Sequence, residues 1–173
     1  ATLTQEWMLT FGQGLHPLQW LTCNFVHFGF CHLIFNMIFL WAFGVGIEGR
    51  IGWWRFLTLY LAIGITGGMI GQLFLANYQG CCVGAGGASL AIFGLLAVAL
   101  LWHPFSEIDC LWICCIWGRP VAVEDIEVSI LWFAGFHIVK EFFFAGLIYG
   151  SAGVGTTSAM FHSLGALIGA GCG

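Results

Sequence analysis

Ser89 and His162 lie in two separate apolar stretches of the chain, and a hydroxyl with an imidazole to take its proton is the minimum for nucleophilic attack on a carbonyl. Two further polar side chains, His32 and Asn36, are four residues apart. On a helix that spacing is about 40° of rotation, so both project from one face and could offer hydrogen-bond donors to developing negative charge. His27 is about 140° from His32 on the same wheel, which keeps it from joining that face directly.

Ser89 follows the run Val83, Gly84, Ala85, Gly86, Gly87, Ala88, and the chain is then wholly apolar to residue 102. Such a lead-in permits an irregular backbone, tolerated at membrane depth only where it lines a cavity or is buried in protein. Ser89 therefore opens a helix, where free N–H groups point outward and favour negative charge. A simple N-cap would also put a serine there. An interior, hydrogen-bonded histidine would equally account for His162, and interhelical hydrogen bonds for His32 and Asn36.

Other chemistries lack their parts. There is no H-E-x-x-H for zinc and no C-x-x-C pair, and Asp109 and Asp125 fall in a polar stretch rather than in facing apolar segments. Lys140 adjoins Glu141 and reads as its ion-pair partner; His137, one turn earlier, joins the same local cluster. Most cysteines sit in apolar runs as small buried hydrophobes, while Cys81 and Cys82 leave one disulfide conceivable. No cofactor or metal is expected.

The elements that must position these residues are set by lipid. The chain is 60% hydrophobic and 7% charged, against roughly 25% charged in an ordinary soluble domain. Four Lys and Arg against eight Asp and Glu leave no basic patch for nucleic acid. Five apolar stretches approach the roughly 20 residues of a spanning helix: 28–47, 56–76, 83–102, 128–148 and a shorter one at 157–173. That shorter pattern and a start at Ala1 read as a piece of a longer chain. Residues 1–26 read as an interfacial loop with short amphipathic turns, and 103–127 as a second, mixed interfacial stretch whose apolar part, 108–117, is too short to cross. The fold class is thus all-α, a single polytopic transmembrane domain over 1–173. Arg50, Arg55 and Arg119 fall in alternate loops, so loops 1–26, 77–82 and 149–156 are predicted to face outward and 103–127 the cytoplasm. Glycines at 64, 67, 68 and 71, and at 165, 169 and 173, mark faces where helices can approach closely.

Taken together, the chain resembles the rhomboid family of intramembrane serine proteases from about Gln19 to Gly173. His27-Phe-Gly-Phe-Cys-His32-Leu-Ile-Phe-Asn36 is similar to that family's H-x-x-x-x-H-x-x-x-N signature, Gly87-Ala-Ser89 to its G-x-S motif, and His162-Ser-Leu-Gly165-Ala-Leu-Ile-Gly169 to its histidine helix. The resemblance implies Ser89 as nucleophile, His162 as base, and His32, Asn36 and the Ser89 amide as oxyanion donors. It further implies that Phe93 stacks on His162 and that His27 is structural. The implied substrates are single-pass membrane proteins, cut near the outer face after small residues in easily unwound helix segments. The implied location is a bacterial inner membrane, with an organelle membrane as the alternative. Leu90 and Phe161 replace small residues of the family and are expected to crowd the Ser89–His162 pair. The family's first spanning helix has no counterpart here. The competing reading is a catalytically silent rhomboid-like subunit that binds a transmembrane client or packs into a larger complex.

Overall fold

A helix of 22 residues rises roughly 33 Å, enough to cross a hydrocarbon layer of roughly 30 Å. In the computed structural model, which describes residues 6–77, 84–116, 119–147 and 154–173, two helices reach that length. After the short helix α1 (Pro17–Thr22) come α2 (Phe30–Ile51) and α3 (Trp53–Phe74). They are joined by Gly52 alone, whose φ of 80° is in the left-handed region that glycine adopts without a Cβ penalty. Both helices run beyond the apolar stretches 28–47 and 56–76 at this junction, because Glu48, Arg50 and Arg55 are tolerated in the end turns of a helix. Hydropathy reports apolar length; hydrogen bonding decides where a helix stops.

Helix α4 (Ser89–Trp102) has only 14 residues, starting six later than its apolar stretch at 83–102. The non-helical lead-in is covered by protein at its end: Gly87 and Ala88 are buried. Two further helices, α5 (Ile130–Leu147) and α6 (Val154–Cys172), complete the bundle. Helix α4 is its centre, packing on α2, α3, α5 and α6, with Ala91, Leu95 and Val98 wholly inaccessible. The outer helices instead present large apolar side chains outward, among them Phe30, Trp41, Trp132 and Leu167 at 72–76% exposure. Lipid, not water, is the solvent that accommodates such a surface.

The stretch 103–127 does not remain irregular. It contains an antiparallel hairpin of β1 (Glu107–Ile116) and β2 (Arg119–Ser129), in register from Glu107 opposite Ser129 to Ile116 opposite Arg119, with a bulge between Cys114 and Cys115. An apolar run too short to cross as a helix satisfies its backbone by pairing with the following strand. The signal was present in the β-branched and aromatic residues of 108–117 and the matching Val121, Val123, Ile126 and Val128. The adjacent Cys81 and Cys82 lie outside the described residues.

The closest helix contact is between α4 and α6. A Cβ on Gly165 would strike the Leu90 carbonyl, and one on Gly169 the Gly94 carbonyl. Backbone meets backbone in matched register, four residues apart on both helices, so α4 and α6 run parallel. Gly165→Ala and Gly169→Ala should each lower the unfolding temperature in bilayers by the equivalent of about 1–3 kcal/mol, the usual cost of overpacking. Gly135→Ala, where a Cβ meets nothing within 4 Å, serves as the control and should not. Equal melting of Gly169→Ala and Gly135→Ala would contradict the contact.

Candidate active site

Helix α2 begins at Phe30, so His27 is not on its wheel at all. A rotation of about 140° between His27 and His32 holds only for a helix that reaches back to residue 27. In the preceding turn the chain doubles over, and the two imidazoles meet edge to face with centroids 5.2 Å apart. The Phe28 N–H donates to His32 Nδ1 at 3.4 Å. Nδ1 is thus the acceptor, and in the neutral ring the proton is assigned to Nε2. By the same reasoning His27 accepts the Ala88 N–H on Nε2 at 3.4 Å and turns Nδ1–H to the Phe25 carbonyl at 3.3 Å.

Asn36 is buried one turn below His32, and its Nδ2 donates one hydrogen to the His32 carbonyl at 2.9 Å. The second amide hydrogen points elsewhere. Gly87 sits over both side chains: a Cβ there would lie 2.8 Å from His32 Cε1, 3.1 Å from its Nε2 and 3.8 Å from Asn36 Nδ2. Its φ of 127° also requires glycine. The peptide two residues before Ser89 therefore lies directly on the polar face of α2.

The lead-in is held from a third side. Gly87 N–H donates to the Cys23 carbonyl at 2.8 Å, and Leu9 and Ala85 exchange a pair of 2.8 Å backbone bonds. Ser89 is the first residue of α4, while Ala88 occupies the cap position and makes no side-chain capping bond. Ser89 is consequently not an N-cap. Its hydroxyl is one turn before Phe93 on the same face of α4, and the Phe93 ring stacks on His162 with centroids 4.2 Å apart and planes 5° from parallel. The matched α4–α6 register and this stack together put the imidazole on the Ser89 face.

The side chains of Leu90 and Phe161 lie against α3. A Cβ on Gly67 would meet Leu90 Cδ2 at 2.5 Å, and one on Gly71 would strike the Phe161 ring, so both large side chains fill space that α3 leaves with its glycines. The extra volume is accommodated between α3 and the other two helices. His137 packs among the rings of Phe39, Phe133 and Phe93, with the nearest centroid at 4.5 Å. The side chain of Glu141, its expected partner, lies outside the described residues.

Two residues of consequence were not singled out from the sequence. Gln72 and Gln19 are both buried and hydrogen-bonded to one another at 3.3 Å. A glutamine inside the apolar stretch 56–76 was the available signal. Residues 6–16, expected as an interfacial loop, are in part drawn into the protein through them, with Met8, Leu9 and Phe11 buried.

A family model described as the Rhomboid domain matches residues 15–173. Among similar proteins, the rhomboid protease GluP of Bacillus subtilis is 42% identical over 109 residues, covering 59% of this chain and 20% of that protein. Rhomboid-type serine protease 2 of Emericella nidulans is 39% identical over 88 residues, covering 49% and 17%. RHOMBOID-like protein 7 of Arabidopsis thaliana is 37% identical over 103 residues, covering 58% and 31%. The aligned stretches thus span less than a third of the length of these relatives.

Burial also fixes the chemistry of Cys23, whose carbonyl holds Gly87. Its thiol is pushed up from the ordinary 9.0 to about 12, by loss of hydration. Because the thiolate is the reactive form, Cys23 should resist alkylation in the folded protein from about pH 7 to about pH 9 and react only on denaturation. Peptide mass spectrometry after iodoacetamide treatment across that range checks this; rapid labelling at the low end would show the Cys23 turn to be open.

Proposed function

The chain belongs to the rhomboid family, and from that premise we propose that it hydrolyses peptide bonds within the membrane with Ser89 as nucleophile and His162 as general base. The observation that carries the reading is the convergence on one helix start. Gly87, just before Ser89, lies against His32 and Asn36, and Phe93, one turn after it, stacks on His162.

In this mechanism Ser89 Oγ attacks the scissile carbonyl carbon as its proton passes to the His162 imidazole. The carbonyl π bond opens to an oxyanion, which accepts hydrogen bonds from the Ser89 backbone N–H, His32 Nε2–H and the second Asn36 Nδ2–H. Collapse breaks the C–N bond, and the imidazolium returns its proton to the departing amine. Water then attacks the acyl-serine with His162 again taking and returning a proton, which restores the hydroxyl. The positive end of α4 adds to the stabilisation of the oxyanion. Phe93 keeps the imidazole plane fixed, and His27 holds the Ala88 amide. The substrates in this reading are single-pass membrane proteins, unwound near the outer face and cut after small residues. Loops 1–26, 77–82 and 149–156 would face that side, in a bacterial inner membrane.

Two measurements on bilayer-reconstituted protein test the reading. A fluorophosphonate should label the wild type and fail to label Ser89→Ala. His32→Ala and Asn36→Ala should depress turnover by about 10² to 10³ while the unfolding temperature changes little, the pattern of lost transition-state donors. If both serve only as interhelical hydrogen bonds, of about 0.6 kcal/mol each on average, melting falls modestly and turnover is kept. That outcome, or silence of the wild type toward the probe, would favour a subunit that binds transmembrane clients without cutting.

A further inference from the structure

Gln72, in the last turn of α3, is 0% exposed and uses every hydrogen-bonding position of its amide. Its Oε1 accepts the His16 N–H at 2.9 Å and the Trp20 indole N–H at 2.7 Å. Its Nε2 donates to the Thr10 carbonyl at 2.9 Å and to Gln19 Oε1 at 3.3 Å. Gln19 completes the circuit, because the same Oε1 also accepts the Thr10 N–H and the Thr10 hydroxyl, each at 3.0 Å. Thr10 is thereby held at its N–H, its hydroxyl and its carbonyl.

The neighbours of Thr10 reach toward opposite halves of the candidate site. Leu9, on one side, exchanges two 2.8 Å backbone bonds with Ala85, four residues before Ser89. Phe11, on the other, stacks its ring on Phe161 with centroids 5.9 Å apart, one residue before His162. One tripeptide thus touches the lead-in to the hydroxyl and the helix of the imidazole, and its centre is pinned by a buried amide on a third element.

We infer that Leu9, Thr10 and Phe11 form a clamp across the Ser89 and His162 segments, and that Gln72 is the positioning residue that sets it. The inference deepens the Ser89–His162 reading and rests on it. A loop merely anchored for stability would need Gln72 but not contacts to both segments. A clamp makes the separation of nucleophile and base depend on an amide that touches neither, and a misplacement of about 1 Å can cost about 10² in rate.

The test uses the full chain in bilayers and three variants: Gln72→Met, Gln19→Met and Phe11→Ala. Readouts are the rate of fluorophosphonate labelling at Ser89, amide hydrogen exchange and the unfolding temperature. Gln72→Met should slow labelling about 10- to 100-fold and raise exchange both at 84–89 and around 159–163. The double variant Gln72→Met with Phe11→Ala should label no more slowly than the slower single variant, since both release one clamp. Wild-type labelling in folded Gln72→Met, faster exchange confined to 6–20, or additive losses in the double variant would each overturn the inference. Where Gln72→Met fails to fold, Gln19→Met, which releases two of the three Thr10 bonds, decides by the same criteria. Should wild-type Ser89 itself resist the probe, the protease reading fails. The clamp is then judged by exchange alone: coupled opening of both segments supports it, and opening of neither refutes it.

Discussion

A peptide group at membrane depth has no water to turn to, and an unpaired one costs several kcal/mol. That constraint governs the five residues before α4, which give up helical hydrogen bonding. Each partner they find ties the lead-in to a different part of the chain. Ala85 pairs with Leu9, Gly87 with the Cys23 carbonyl, and Ala88 with His27. An irregular backbone is tolerated because it is paired, and the pairing leaves Gly87 on His32 and Asn36. The bonds that satisfy this backbone also fix where Ser89 begins α4.

Close packing does the rest. Without a hydrophobic drive between helices in lipid, association rests on van der Waals contact and hydrogen bonds, and small residues let backbones approach. Gly165 and Gly169 seat α6 directly on the carbonyls of α4. On α3, Gly64 and Gly68 instead receive Asn24 and the Trp20 backbone, which docks α1 and the following turn, while Gly67 and Gly71 receive Leu90 and Phe161. Volume is exchanged across an interface, so α3 receives two large residues that neighbour the catalytic candidates in sequence.

The segment from Glu6 to Thr22 shows how polar residues are used in such a bundle. Its glutamines look like solvated loop residues in isolation, yet Gln19 is 8% exposed and its partner Gln72 wholly enclosed. A buried polar network is stable only when each member is satisfied, and here Gln72 has four partners. The network gives the segment before α1 a defined place against α3, and through Leu9 and Phe11 a place against the site.

Local spacing and composition carried the membrane class, the helical architecture and the identity of the residues with chemistry to offer. Apolar length sets how many helices a chain can put through lipid, and a four-residue step sets which side chains share a face. The glycine pattern of α6 was readable for the same reason, since a small residue every turn has one geometric use. What depends on residues far apart in the chain was not readable. His27 came beside His32 because α2 starts at Phe30 and the turn before it folds back, a boundary hydropathy does not mark. Residues 107–116 became a strand only because 119–129 lay across from them. Where the Leu90 and Phe161 side chains go was hidden too, because the glycines of α3 that receive them are 23 and 90 residues away in sequence. Sequence spacing specifies direction within an element, whereas the partner that fills or meets it is selected by packing between elements.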